Sequence, residues 1–144
     1  FKVLILDGDI VRTKYGLKIG FKKEDIILNN QRILEMCIQS KNTYNVILVP
    51  IISPYRVSRK ESRRKLKDAF YEIYFSDNLE IVSKRDTKGL YEKARRGRIK
   101  NMIGFSPGSP YEKPKNPDLI LGSNDGAPKD SGSKLLNLIL NTSI

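Results

Sequence analysis

The chain contains no histidine and only one cysteine, Cys37, and these shortages remove several kinds of active site. A Ser-His-Asp triad needs an imidazole and is therefore excluded. Protein zinc sites are built mostly from cysteine and histidine, so a zinc site is not expected. No internal disulfide can form, and a single thiol is typical of a protein kept in a reducing, cytoplasmic compartment.

Long apolar runs are also absent. The longest, Val46–Ile52, is far too short to cross a bilayer, and residues 1–6 do not resemble a signal peptide. Positive charge, by contrast, is abundant: 27 Lys and Arg against 16 Asp and Glu give a net charge of +11. That excess favours an anionic partner, which could be a nucleic acid, a membrane surface or a phosphorylated small molecule. The basic residues concentrate at 59–67 and 93–100, where two solvated helix faces explain them equally well.

Short apolar segments alternate with helical patterns along the chain. We predict strands at 2–6, 45–52, 70–75 and 116–121, and helices at 24–40, 57–68, 78–84, 89–97 and 131–141. Segment 45–52 has the continuous apolar, β-branched character of a strand buried on both faces. The alternation predicts an α/β fold with a parallel sheet flanked by helices, in a single domain over residues 1–144. Ligands of such sheets bind beyond the carboxyl ends of the strands.

Polar segments follow the first two strands, and a third lies in a later crossover. Asp7 and Asp9 could hold Mg²⁺ through waters or accept a proton from a substrate hydroxyl, although an aspartate that caps the next segment is the simpler interpretation. Arg12, one turn further, could bind an oxyanion. Ser53 precedes a proline just after the second strand. Its hydroxyl is either presented to a ligand at the edge of the sheet or belongs to an ordinary Ser-Pro turn. Lys88 begins a basic run that is either a phosphate lid or a solvated helix start.

Two further features have open or negative interpretations. Phe21 and Phe105 each follow a glycine, and either could stack on a base or pack in the core. Segment 122–134 is glycine-rich and ends in lysine, but Ser133 breaks the GxxxxGK[ST] spacing. We therefore interpret 122–134 as a surface loop.

Five segments together resemble motifs of the adenylylsulfate kinase family. They are LDGDIVR (6–12), GFKKED (20–25), ISPYR (52–56), RDTKGLYEKAR (85–95) and SPYEKPKNPDLIL (109–121). Their order and spacing agree over nearly the whole chain. The resemblance implies a P-loop NTPase-like kinase of sulfate assimilation. Such an enzyme uses ATP with Mg²⁺ to phosphorylate the 3′-hydroxyl of adenosine 5′-phosphosulfate (APS), and the 3′-phosphorylated product is PAPS. The resemblance also implies a cytoplasmic protein without nucleic-acid or membrane partners, and it is compatible with a homodimer.

The resemblance assigns roles to individual residues. Asp9 and Ser53 would be catalytic, Asp9 by orienting or deprotonating the 3′-hydroxyl, and Ser53 matches a serine described in the family as a phosphoacceptor. Magnesium would have no direct protein ligand and would contact Asp7 or Asp9 through water. The substrate would be bound by Asp7, Asp9, Arg12, Phe21, Asn29, Ile52, Ser53, Lys88, Gly104 and Phe105. The ATP side and lid would comprise Arg85, Lys88 and Arg95.

The chain also departs from the family pattern. Ile26 stands where the family has an arginine, and Ile10 replaces an asparagine. The segment before Tyr111 is longer than in the family, so the second stacking aromatic is Phe105 or is replaced by Met102, and we prefer Phe105. Two alternatives stay open: a catalytically inactive homologue that still binds an adenine nucleotide, and a basic nucleic-acid-binding domain. If the affinity for duplex DNA falls steeply with salt concentration, the chain is a nucleic-acid-binding domain.

The family's glycine-rich phosphate loop would precede Asp7 by about one helix, outside residues 1–144. We therefore expect residues 1–144, expressed alone, to lack detectable kinase activity, because that loop supplies much of the phosphate binding. We also expect poor folding or self-association through an unpaired strand edge. Adding an upstream strand, GxxxxGK[ST] loop and helix should restore both properties. A monodisperse preparation of residues 1–144 that has ATP-dependent kinase activity would contradict this expectation.

Overall fold

The computed structural model describes residues 1–14, 20 and 22–142. These form two compact units, Phe1–Phe70 with Leu136–Ile144, and Tyr71–Leu135. The strands are β1 (Val3–Ile5), β2 (Val46–Leu48), β3 (Ile73–Phe75) and β4 (Leu119–Leu121). The helices are α1 (Gly8–Lys14), α2 (Lys23–Ser40), α3 (Arg56–Leu66), α4 (Leu79–Arg85), α5 (Leu90–Arg95) and α6 (Pro128–Thr142). Short 3₁₀ turns occupy Lys67–Ala69 and Ser123–Asp125. The single domain predicted for residues 1–144 stays a prediction.

In the first unit, β1 and β2 pair in parallel, with Val3 opposite Val46. The N–H of Leu6 donates to the carbonyl of Leu48 at 2.8 Å, which continues the ladder beyond β1. Helices α1 and α2 form the crossover between the two strands. The buried core contains Leu6, Val11, Ile33 and Cys37, and the last two lie one turn apart on α2.

In the second unit, β3 and β4 also pair in parallel, with Ile73 opposite Leu119. Helices α4 and α5 lie between them in sequence. Two contacts connect the segment before β4 to β3: the carboxylate of Asp118 accepts the N–H of Glu72 at 2.6 Å, and the rings of Tyr111 and Tyr74 stack with centroids 6.2 Å apart. Both crossovers are of the strand-helix-strand type that the sequence predicted.

The four predicted strands are confirmed but are shorter than their apolar runs. Strand β2 ends at Leu48, two residues before Pro50, which cannot donate to a ladder. Its three residues are half-buried, so the prediction of a strand buried on both faces is wrong. Among the described residues β2 pairs with β1 alone. One face of β1 is exposed, at Val3 and Ile5, and Phe1 ahead of the strand is exposed too.

The helices differ most from the prediction at α1 and at the start of α6. Helix α1 was not predicted, because seven residues with one buried apolar side chain, Val11, leave no periodic stripe. Interpreting all of 122–134 as a surface loop is wrong, since α6 begins at Pro128. Proline suits the first helical position, and the Asp130 carboxylate accepts the N–H of Ala127 at 2.8 Å. The predicted helix began at residue 131 because Pro128, Lys129 and Asp130 add no position to the periodic apolar stripe.

The described residues contain no helix that combines the length and the apolar character required to cross a bilayer.

Burial raises the pKa of the Cys37 thiol from 9.0 to about 11, although a backbone hydrogen bond opposes the rise. The stability gained from the neutral thiol is therefore present below pH 9.0 and is lost as pH rises toward 11.

Because the thiolate is the reactive form, we expect Cys37 to react with a disulfide reagent at least about 100-fold more slowly in the native chain than in urea. Reaction at the same rate in both would contradict the buried assignment. The Cys37→Ser variant, which has no thiol, is the control for background reaction of the reagent.

Candidate functional site

In the first unit, the ends of β1 and β2 meet at one edge. A Cβ atom on Gly8 would lie 2.9 Å from Cγ2 of Ile51, closer than real contacts allow. Glycine therefore permits the turn between Asp7 and Asp9 to lie directly against the segment that leads to Ser53. The DGD turn therefore packs against Ile51, the residue that directly precedes the ISPYR segment.

The two aspartates of this turn have different surroundings. Oδ1 of Asp7 accepts the N–H groups of Asp9 at 2.9 Å and Ile10 at 3.1 Å, so Asp7 caps α1. Asp9 lies in the first turn of α1 with an exposed side chain, and Arg12 follows on the same face. Nη1 of Arg12 donates to the carbonyl of Gly20 at 3.3 Å. The capping interpretation of the DGD motif holds for Asp7, while Asp9 has the exposure that substrate chemistry requires.

Ser53 is held from two sides. Its backbone has φ of +40°, a left-handed conformation that is strained for any residue with a Cβ. Nδ2 of Asn30, on α2, donates to Ser53 Oγ at 3.0 Å, and Nη1 of Arg59, on α3, donates to the Ser53 carbonyl at 2.5 Å. Because Oγ accepts one bond from Asn30, its own O–H remains a donor.

Sequence reasoning named Asn29 in this region and missed Asn30 and Arg59. Asn29 is only 3% exposed, and Arg59, also buried, is 8% exposed. Adjacent asparagines on the buried stripe of α2 were a usable signal, because a buried amide needs hydrogen-bond partners. Ile52 is 66% exposed beside Ser53, whereas Ile26 is buried, so the family's arginine position belongs to the core here.

Tyr55 and Pro54 are buried and hold the end of the ISPYR segment inward. The ammonium of Lys23 lies over the Tyr55 ring, 5.1 Å from its centroid, a cation–π contact that joins the start of α2 to this segment. Phe21 and its expected contact with adenine lie outside the described residues.

In the second unit, Arg85 joins the ends of β3 and β4. Its Nη1 lies 3.2 Å from Oδ2 of Asp77, and its Nη2 donates to Ser123 Oγ at 2.8 Å. The N–H of Ser123 donates to Oδ1 of Asp77 at 2.6 Å. Hydrogen bonds from the Ser123 backbone and side chain, with a smaller contribution from Arg85, hold the pKa of Asp77 below its usual value of 3.8. Arg85 is thus engaged with protein groups at this edge.

Lys134, the last residue of the glycine-rich segment, pairs with Asp125. Its Nζ lies 2.5 Å from Oδ1, and the N–H of Gly122 donates to Oδ2 at 3.0 Å. The Lys134 ammonium, followed by the Gly122 N–H, lowers the pKa of Asp125. In the structure this lysine therefore stabilises the loop after β4.

The segment that carries Lys88 is a capped turn. The N–H of Gly89, at φ of +63°, donates to the carbonyl of Asp86 at 2.8 Å. The Asp86 carboxylate accepts the N–H groups of Tyr91 at 3.1 Å and Glu92 at 3.0 Å, which caps α5. Burial raises the pKa of Asp86, but backbone N–H groups of α5 and the charge of Arg95 outweigh it, so the net pKa is lowered. Lys88 is exposed at this turn.

Gly104 and Phe105 lie in a loop close to α5. Gly104 has φ of +76°, which favours glycine, and its N–H donates to the Ser109 carbonyl at 2.8 Å. The Phe105 ring lies edge-on to Tyr91, with centroids 6.4 Å apart and planes at 76°. Arg95, predicted for the lid, pairs with Glu92 at 3.4 Å.

A family model described as adenylylsulphate kinase matches residues 1–122, well over half of the chain. The chain belongs to the adenylyl-sulfate kinase family. The adenylyl-sulfate kinase of Prochlorococcus marinus is 40% identical over 141 residues, which cover 94% of this chain and 69% of that protein. The probable adenylyl-sulfate kinase of Archaeoglobus fulgidus is 36% identical over 124 residues, 86% of this chain and 78% of that protein.

Among solved structures, that of the Mycobacterium tuberculosis APS kinase CysC in complex with AMPPNP and APS is similar, with a TM-score of 0.85 and 33% identity. The match covers 98% of this chain and 81% of that one. The resemblance to adenylyl-sulfate kinases and the P-loop NTPase-like α/β fold are thereby confirmed. Membership of this family makes the protein a kinase by resemblance, whereas the roles assigned to single residues stay predictions.

Acid should destabilise the second unit through its hydrogen-bonded carboxylates. The pKa values of Asp77, Asp86 and Asp125 lie below 3.8, so their stabilisation is present above that value and is lost as pH falls through the lowered values. We expect Asp125→Asn to weaken the dependence of urea stability on pH between about pH 5 and pH 2, followed by circular dichroism. An unchanged dependence would contradict the Lys134–Asp125 pair. Asp68→Asn, an exposed acid in the 3₁₀ turn, controls for the loss of one charge.

Proposed function

We propose that this protein transfers the γ-phosphate of ATP to the 3′-hydroxyl of adenosine 5′-phosphosulfate, forming PAPS and ADP. The observation that carries the proposal is the close approach of Gly8, in the DGD turn, to Ile51, which leads into Ser53, at the carboxyl edge of β1 and β2. Both segments match the family's acceptor motifs, and the similar Mycobacterium tuberculosis enzyme was solved with AMPPNP and APS. Ligands of parallel α/β sheets bind at this edge.

In the proposed reaction, the 3′-oxygen attacks the γ-phosphorus, the bond from that phosphorus to the β,γ-bridging oxygen breaks, and the hydroxyl proton leaves. Asp9 is the aspartate proposed to orient the hydroxyl and accept this proton, because its side chain is exposed in the first turn of α1, whereas Asp7 caps the helix. Arg12, on the same helix face, would bind an anionic group of the acceptor.

Ser53 would act by donating a hydrogen bond. Phosphoryl transfer relies mainly on positioning and charge stabilisation, and Oγ already has its direction set by Asn30. A covalent phosphoserine is therefore not needed for the reaction. The strain at Ser53 supports a role in the site, since strained conformations cluster where function requires them.

Magnesium would accompany ATP and neutralise charge on its phosphates. The described residues hold no group of three or more acidic, cysteine or histidine side chains able to bind a metal. The exposed carboxylate of Asp9 fits a water-mediated contact to the ion. Lys88, exposed on its turn, would contact phosphate, and Phe105 would stack on the adenine of the acceptor.

We also propose a cytoplasmic location. Its support is the chemistry of Cys37, a free and buried thiol that a reducing compartment would preserve.

The test is APS-dependent formation of ADP from ATP, with PAPS identified by mass, in a protein that carries a GxxxxGK[ST] segment ahead of residue 1. Absence of PAPS from such a folded protein would overturn the proposal.

Calorimetric titration with APS then tests the site, where Arg12→Ala should weaken binding by about 1.5–3 kcal/mol, the scale of a lost charge-assisted hydrogen bond. Arg64→Ala is the matched control, because Arg64 is an exposed arginine paired with Glu61 on α3. Equal affinities of the two variants would remove Arg12 from the site.

A further inference from the structure

Phe105 lies on a loop, residues 102–109, whose backbone bonds are made within the loop. The N–H groups of Phe105 and Ser106 donate to the Met102 carbonyl, at 3.1 and 2.9 Å. Gly104 donates to the carbonyl of Ser109, and Ser109 donates to that of Ser106. The Met102 N–H donates to Ser106 Oγ at 3.0 Å. These hydrogen bonds fix the backbone conformation of the loop. The orientation of the Phe105 ring depends instead on the side chain that packs against it.

The packing partner of that ring is Tyr91 on α5. An edge-to-face pair at 6.4 Å and 76° has the geometry that aromatic rings prefer, because the positive edge of one ring meets the negative face of the other. Both side chains are half-buried. Burial, and to a smaller extent the charge of Asp86, raises the pKa of Tyr91 above its ordinary value of 10.0.

The place of Tyr91 is set in turn by Asp86. The Asp86 carboxylate accepts the Tyr91 N–H itself, at 3.1 Å, and its second oxygen accepts the next N–H, that of Glu92. The turn is closed by Gly89, whose N–H donates to the Asp86 carbonyl. A helix as short as α5 depends on such a cap, because its first N–H groups have no partner within the helix. Asp86, Tyr91 and Phe105 thus form one connected series of contacts.

We propose that Tyr91, held by the Asp86 cap, is a positioning residue that orients the Phe105 ring for the adenine of the acceptor. The identity of the ligand rests on the proposed function, whereas the orientation of Phe105 by Tyr91 does not. A phenyl ring that is already oriented loses less conformational freedom when a base stacks on it. Removal of Tyr91 should therefore weaken acceptor binding with little effect on the chemical step.

The contact itself can be tested without substrate, because the chain contains no tryptophan and Phe105→Trp introduces a single reporter. In this background we expect Tyr91→Leu to increase acrylamide quenching of the tryptophan about twofold and to lower its anisotropy. Asp86→Ala should act in the same direction, and Tyr91→Phe, which keeps the ring, should retain the parent values. The matched control is Tyr71→Leu, which removes an exposed tyrosine of the same unit. Equal quenching in the Tyr91→Leu and Tyr71→Leu variants would overturn the proposal.

Kinetics in the Phe105 background test the consequence for the acceptor. Tyr91→Leu should raise KM for APS about 3- to 10-fold, the range expected for one aromatic pair, with kcat and KM for ATP nearly unchanged. Tyr91→Phe should restore KM. An unchanged KM for APS in an active enzyme would overturn the positioning role, as would a loss confined to kcat. If the parent enzyme makes no PAPS, the proposed function fails and the assignment of adenine as the ligand fails with it, while the quenching result still decides whether Tyr91 orients Phe105.

Discussion

Parallel strand pairing is the constraint on which both units depend, because it delivers the ends of paired strands to one edge. In the first unit this brings the DGD turn against the segment after β2, close enough that Gly8 has no room for a side chain. In the second unit it places Asp77, after β3, within hydrogen-bonding distance of Ser123, after β4. The polar groups of each unit are therefore brought together by backbone geometry, and side-chain bonds then adjust their directions.

Much of the positive charge that the sequence displays is engaged with protein groups. Arg64 and Lys65 approach Glu61 on α3, and Arg96 bonds Glu92 on α5 at 2.7 Å. Arg59, from the same basic run as Arg64, is turned inward to the Ser53 carbonyl. Several cations of the two basic runs thus bond to neighbouring protein groups. Exposed pairs of this kind stabilise the fold only slightly.

The sequence predicted the alternation of strands and helices well, because apolar periodicity in segments such as 24–40 is a local property. It also predicted that the segments after β1 and β2 meet, since parallel topology sends strand ends to one edge, while the expectation that segment 85–95 joins them stays a prediction. It could not show that Asp7 caps while Asp9 is exposed, because that difference depends on the exact start of α1. The bonds from Asn30 and Arg59 to Ser53 were equally hidden, since they join three elements distant in the chain. The first turn of α6 was missed because Pro128, Lys129 and Asp130 add no position to the periodic apolar stripe.

The left-handed backbone at Ser53 limits which amino acids evolution can accept there. Glycine would adopt φ of +40° without strain but would remove the oxygen that Asn30 donates to. Threonine would keep a hydroxyl, yet its branched Cβ makes that conformation still less favourable. Alanine has neither advantage. Among these small residues, serine alone combines a hydroxyl with tolerable strain, so divergence at this position should require a coordinated change at Asn30, whereas the bond from Arg59 goes to a backbone carbonyl that any residue supplies.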